Sequence, residues 1–218
     1  MSAREEFSEE FSEEFSLTPE HLIGAYCTGA FPMADPKTGA IRFFECAPRC
    51  IMPLEEGGMR VSRSLARRVR SGRFRITWNR AFSEVIAGCA QDRSESNPSW
   101  ISPELIACNE RLHMDGIAHS VEAWRDGRLV GGLYGIAIGA AFFGESMFSR
   151  PRDGGTDASK VCLVELVTRL RAHRFTLLDC QLSNPHTESL GAIEIRRKDY
   201  HARLEVAIRT WSDRLPMS

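Results

Sequence analysis

The chain has 218 residues, 43% of them apolar and 26% charged, with a mean hydropathy of −0.25 and a formal net charge of −1. This excludes collagen, coiled coil and wholesale disorder, and a chain of this length buries roughly 70% of its unfolded surface without help from disulfides or metals. The uncharged run Leu129–Phe143 is broken by four glycines and shorter than the roughly 18–20 residues of a bilayer span, and the acidic N-terminus lacks the apolar stretch of a secretory signal, so a cytoplasmic protein with no membrane partner is expected.

Residues 1–16 carry six Glu and one Arg, with Phe7, Phe11 and Phe15 four residues apart. That spacing would stack the rings on one helix face. A disordered acidic leader is the plainer reading. Thr18-Pro19 opens a helix over about 19–28, with Leu22, Ile23, Tyr26 and Cys27 as its apolar face and Gly29 at the left-handed cap. Residues 31–53 are too rich in proline for long elements, and a small N-terminal domain is expected over 17–57. A helix from Ser62 to Arg70, a strand Phe74–Trp78 and a helix Ala81–Ala90 follow. Ser102-Pro103 caps another helix ending at Gly116, and Asp126-Gly127 turns a hairpin between 120–124 and 128–135. A third strand over 136–144, a helix over 158–173, a buried strand 175–180 and a last helix 200–211 complete the chain. Helices, then a meander, then a helix and a strand that inserts beside it predict an α+β fold. Its catalytic part, 58–218, would carry a mixed, largely antiparallel sheet of the N-acetyltransferase (GNAT) type.

Seven cysteines without a C-x-x-C pair read as reduced and mostly buried, and no metal site is expected. Residues 60–80 hold eight Arg and no acid. On the helix from Ser62, Arg63, Arg67 and Arg70 form one stripe able to track a phosphate backbone. Two acids follow apolar runs, Glu145 in GESMFSR and Asp179 in LLDCQ, with Gln181 two positions on and on the same strand face. Each acid could be structural, paired with an arginine such as Arg150. Their emergence at strand ends with an amide and a Ser/Met/Phe cluster is also how a site is assembled on a rigid scaffold. On that second reading either acid can be removed without loss of fold. Phe43, Phe44 and Trp100, in loop-like settings, could stack on a base. His113, His119 and His186 have no motif context for catalysis.

The runs LIGAYCTGAFPM, VSRSLARRV, WISPELIACNERLH, GIAHSVEAW, LVGGLYGIAIGAAFFGESMFSR, DASKVCLVELV and LLDCQLSNPHTESLGAIEIRRKDY resemble, over about residues 17–204, the bacterial leucyl/phenylalanyl-tRNA–protein transferases. The resemblance implies an enzyme that moves Leu or Phe, or Met, from aminoacyl-tRNA to an N-terminal Arg or Lys of a protein, which marks that protein for N-end-rule degradation. It implies no cofactor. It gives Asp179 the amine's proton, directly or through Gln181, and gives Glu145 the cationic acceptor. Phe142, Met147 and Leu133 would line the amino-acid pocket, and Trp100 would hold the terminal adenosine. Phe43-Phe44-Glu45-Cys46 stands where the family usually has Trp-Trp-Ser-Pro, so stacking there falls to phenylalanine. PRDGGTD holds about four extra residues. An acyl-CoA acetyltransferase on the same fold is disfavoured, because Arg128-Leu-Val-Gly131-Gly132 sits inside a strand instead of opening a helix toward pyrophosphate. A non-catalytic RNA-binding module explains the arginines and leaves the acids without a purpose.

Overall fold

The computed structural model describes residues 17–91, 98–210 and 215, with the backbone of 4–6. The first piece is β1 (Arg4–Glu6), which pairs antiparallel with β3 (Ile41–Cys46). Three residues of the leader therefore lie along a sheet edge. The Phe7, Phe11, Phe15 stripe is outside the described residues. Thr18 caps α1 (Pro19–Thr28) by accepting from the His21 amide, and Gly29 ends it at φ 92°. A side chain at Gly29 would meet the rings of Tyr200 and His201. The proline-rich segment forms three short strands, β2 (Phe31–Ala34), β3 and β4 (Arg49–Ile51). The first two make a small sheet with β1, and β4 leaves them for the main sheet.

Then follow α2 (Arg63–Arg70), β5 (Arg75–Trp78), α3 (Phe82–Cys89), α4 (Pro103–Met114), β6 (Ala118–Arg125), β7 (Arg128–Ile138) and β8 (Ala141–Ser149). Ser62 and Ser102 cap α2 and α4 through the amides of Leu65 and Leu105. The chain ends with α5 (Ala158–Ala172), β9 (Leu177–Gln181), α6 (Pro185–Ser189), β10 (Ile193–Ile195) and α7 (Arg197–Arg209). The seven-stranded order is β10-β4-β9-β8-β7-β6-β5, antiparallel except for β8 and β9. This is the mixed α+β sheet expected, with the late strand inserted beside the meander.

The boundaries differ where turns were hidden in apolar sequence. Residues 136–138 finish β7, Gly139 turns at φ 57°, and the third strand runs from Ala141 to Ser149. Glu145 and Asp179 are therefore interior to their strands and not at the ends. The last helix starts three residues earlier than predicted, and the short α6 and β10 carry too few periodic residues to be read.

Alternation along the strands sends side chains to two cores. Leu129, Tyr134, Ile136, Ala141, Phe143 and Leu177 face α1, α3, α4 and α7, while Val130, Leu133, Phe142 and Leu178 face α5. Both sheet faces are covered, which explains the nearly uninterrupted apolar run of β7 and β8. Among the described residues no helix is long and apolar enough to cross a membrane, and no group of three His, Cys, Asp or Glu could hold a metal ion.

Candidate active site

β8 and β9 run parallel only from Ala141/Leu177 to Phe143/Asp179, and beyond that point they are not paired. Two β-bulges fall beside this opening. On β8, Gly144 and Ser146 face consecutive residues Gly135 and Tyr134 of β7, which makes Glu145 the extra residue. On β9, Asp179 and Gln181 face Ile51 and Cys50, which makes Cys180 the extra one. Bulges re-aim side chains beside functional sites. Gly135 permits the first: a Cβ there would collide with the Phe142 ring and the Phe143 carbonyl. The second leaves Gln181 at φ 52°, a strained backbone for a glutamine.

The opening holds two adjoining cavities. One, of about 120 Å³, is lined by Leu133, Met147, Leu163, Leu166, Leu178 and the Tyr134 strand edge. The other, of about 200 Å³, is lined by Phe31, Met33, Trp100 and Leu182. Glu145, Cys180, Gln181 and Asn184 form the wall common to both. The Gln181 amide nitrogen stands 3.5 Å from Glu145 Oε1. Glu145 is only part-buried by surface area, but its carboxyl lies among Tyr26, Tyr134 and Asp179. Lack of water there, opposed by the Tyr26 hydroxyl and by Arg49 and reinforced by the charge of Asp179, pushes its pKa up to about 8. The Tyr26 hydroxyl stops short of a well-formed hydrogen bond to it.

Asp179 lies behind this wall and lines neither cavity. It is completely buried, as is its partner Arg49. Arg49 Nε donates to Oδ1 at 2.9 Å and an Arg49 Nη to Oδ2 at 2.6 Å, Tyr200 donates to Oδ2 at 2.7 Å, and the Gln181 backbone N–H donates to Oδ1 at 2.9 Å. The other Arg49 Nη donates to the Gly29 carbonyl, and the guanidinium sits between the rings of Phe31 and Tyr200, 4.9 and 4.5 Å from their centroids. Every acceptor direction of the carboxylate is taken. Asp179 therefore anchors the Gln181 backbone and does not share a face with its side chain, because the bulge breaks the alternation. Its arginine partner is Arg49, some 130 residues upstream. No spacing rule could have found that residue, and only its position directly after Cys46-Ala47-Pro48, at the start of a buried strand, set it apart. Tyr200→Phe removes one hydrogen bond to a buried carboxylate and should cost about 1.5–3 kcal/mol in urea unfolding; an unchanged midpoint would mean that Tyr200 bears no part of this anchor.

Of the other expected residues, Leu133 and Met147 line the apolar cavity and Trp100 the aromatic one. Phe142 lies deeper, with no exposed surface, under Gly135 and outside both cavity walls. Phe43 and Phe44 line neither. They lie on β3, with the Phe44 ring 6.4 Å from that of Phe31, which takes the place on the wall that sequence reading gave to them. Beside them Glu45 is held by His201 and Arg197 of α7 at 2.5 and 2.6 Å. Arg63, Arg67 and Arg70 are exposed along α2 and make no ion pair among the described residues, whereas Arg68 and Arg73 bond to the PRDGGTD segment at Asp157, Thr156 and Gly154. His113 stacks on Phe82, and His119 bonds to Asn79. A larger cavity of about 470 Å³, lined by Asp115, His119, Gly139, Phe175 and Arg209, holds none of the converging groups.

The fold is α+β, with a mixed seven-stranded sheet, and the site joins an apolar and an aromatic cavity at one wall. The family described as leucyl/phenylalanyl-tRNA protein transferase matches residues 51–205, and its N-terminal domain matches 15–46. Similar proteins of that name occur in Rhizorhabdus wittichii, 51% identical over 88% of this chain and 76% of the relative, and in Rubrobacter xylanophilus, 49% identical over 88% and 96%. The chain belongs to this family. It is accordingly an aminoacyltransferase, with aminoacyl-tRNA as donor and a protein as acceptor. Over 53% of the chain there is also a distant likeness, 16% identical with a TM-score of 0.38, to 84% of a ribosomal-protein-alanine N-acetyltransferase from Brucella melitensis biovar Abortus 2308.

Proposed function

We propose that the protein transfers Leu or Phe from its tRNA to an N-terminal Arg or Lys of an acceptor protein, creating an N-end-rule degradation signal. The observation that carries this reading is the pair of cavities sharing Glu145 and Gln181. An apolar cavity of about 120 Å³ is far below the roughly 300–1,000 Å³ of sites for larger ligands. It suits one side chain. Leu133 and Met147 offer it no hydrogen bond, so selection there is by shape, and a β-branched residue crowds the entrance. The neighbouring cavity, with Phe31 and Trp100, suits the terminal adenosine. An ester joining the two would cross the common wall.

The ester is already activated, so the reaction needs an unprotonated amine, an in-line approach and support for the tetrahedral oxyanion. Glu145 receives the cationic N-terminus. Its pKa of about 8 is close to that of an α-amino group, so a proton passes between them at little cost. The Gln181 amide orients the amine or the developing oxyanion. Asp179 acts through Gln181 as a positioning residue, since its oxygens are fully engaged. Arg63, Arg67 and Arg70 meet the tRNA backbone. Incubation with leucyl-tRNA and a peptide beginning in Arg should yield a Leu-Arg bond, and a peptide beginning in Ala should not react; no product from either would refute the reading.

The triple substitution R63A/R67A/R70A should weaken tRNA binding and flatten its salt dependence by a slope of roughly one per lost phosphate contact, with the affinity for acceptor peptide unchanged. An unaltered slope would leave α2 an ordinary solvated face.

A further inference from the structure

Gln181 reaches the cavities from a left-handed backbone, at φ 52°, that a glutamine adopts only when its surroundings hold it there. Its side chain is lightly tethered, with the amide nitrogen 3.5 Å from Glu145, so the direction of that amide follows from the two peptide planes flanking its Cα. The plane before it is held at the backbone N–H, which donates to Asp179 Oδ1 at 2.9 Å. The plane after it is held at the carbonyl, which accepts from the Cys46 thiol at 3.2 Å. One plane sets φ and the other ψ, so the two bonds together specify the conformation. Cys46 ends β3, is buried, and lies 135 residues upstream of the carbonyl it meets.

We propose that Cys46 is a positioning residue for transfer: its thiol holds the Gln181 carbonyl, and thereby the strained backbone that aims the Gln181 amide at the ester. The inference rests on the functional reading above, in which Gln181 faces the reacting groups. Arg49 governs both holds. One edge of its guanidinium binds Asp179, and the Nη of the other edge, bonded to the Gly29 carbonyl, also donates to Cys46 Sγ at 3.8 Å. With a cationic donor on one side of the sulfur, the thiol's own hydrogen is left for the Gln181 carbonyl. Burial raises the pKa of the thiol against the smaller opposing effect of Arg49, so that hydrogen stays on sulfur. The circuit of Arg49, Asp179, Gln181 and Cys46 therefore closes on a single buried cation. The thiol also joins the two sheets that build the site. β3 pairs with β2, whose Phe31 and Met33 line the aromatic cavity, while Gln181 ends β9 in the common wall. Loss of the thiol leaves both cavities in place and lets the amide drift from its aim, so the cost falls on the chemical step and not on binding.

The test measures kcat and KM for Leu transfer, together with urea unfolding, in the full-length wild type, C46A and C46S, with leucyl-tRNA as donor and a peptide beginning in Arg as acceptor. C46A, or C46V where C46A does not fold, should lower kcat by about 10-fold or more, the scale of a misplaced catalytic group, with KM for leucyl-tRNA little changed. C46S keeps a donor in the same place and should recover most of the rate, even where its stability is no higher than that of C46A. The infrared S–H band isolated by subtracting the C46A or C46V spectrum from the wild type should lie at the lower frequency of a hydrogen-bonded thiol. Wild-type kcat in the donor-free variant, a loss confined to KM, or equal losses of rate with Ala and Ser would overturn the positioning role. A band at the frequency of a free thiol would overturn the bond itself. Were the wild type unable to transfer Leu at all, the functional reading would fail while the band still decided the bond.

Discussion

Arg49→Ala should lower folding stability by about 3–5 kcal/mol, because it leaves the Asp179 carboxylate buried without a cation. The substitution also removes the donor to the Gly29 carbonyl and the guanidinium packed between Phe31 and Tyr200. These contacts tie the end of α1, strand β4 and helix α7 to the motif strand β9, so the loss should appear as one cooperative shift of the urea midpoint. Asp179→Ala should be costly for the mirror-image reason, since it strands the arginine. That differs from the expectation, drawn from sequence, that the acid can be removed with the fold intact. Replacing both partners together by Met and Leu should recover much of the stability, as paired apolar replacements of buried ion pairs commonly do, yet transfer should stay low because the Gln181 backbone has lost its anchor. A double variant with normal transfer would show that Gln181 needs no anchor, and an R49A midpoint equal to the wild type would show that water reaches the pair.

Glu145→Gln should reduce the transfer rate by about 10²–10⁴-fold, the range for a lost proton acceptor, with the fold retained because an amide replaces a carboxyl that is mostly neutral at pH 7. Its pH behaviour separates this role from simple packing. The ordinary value of 4.5 rises to about 8 in the folded protein, so the native state keeps a proton that the unfolded chain loses. The associated stability is complete below about pH 4.5 and declines as the pH rises through about 8. Unfolding measured at steps across this window should show a downward slope in the wild type that is shallower in the variant. Transfer runs the other way: the wild-type rate should climb toward pH 8 as the carboxylate forms. In E145Q that rise should vanish, leaving only the titration of the acceptor amine. Equal slopes and equal rates in the two proteins would remove Glu145 from the chemistry.

The sequence by itself determined the periodic and capped elements. Thr18-Pro19, Ser62 and Ser102-Pro103 opened helices where expected, because a cap is a local exchange between a side chain and amides three residues away. The insertion of a late apolar strand beside the meander was legible from its lack of alternation, and Leu133, Met147, Trp100, Glu145 and Gln181 were singled out from motifs. What only the tertiary structure decided is where those groups point. Two single-residue bulges, which leave no periodic trace beyond a glycine at 135 and a left-handed glutamine at 181, turn Glu145 and Gln181 into one wall and send Asp179 behind it. Phe31 in place of Phe43 and Phe44 depends on which strand of the small sheet faces the aromatic cavity, a matter of packing between distant segments. Arg49 likewise joins β4 to β9 across some 130 residues, and a buried charge acquires its meaning only from the partner that the fold brings to it.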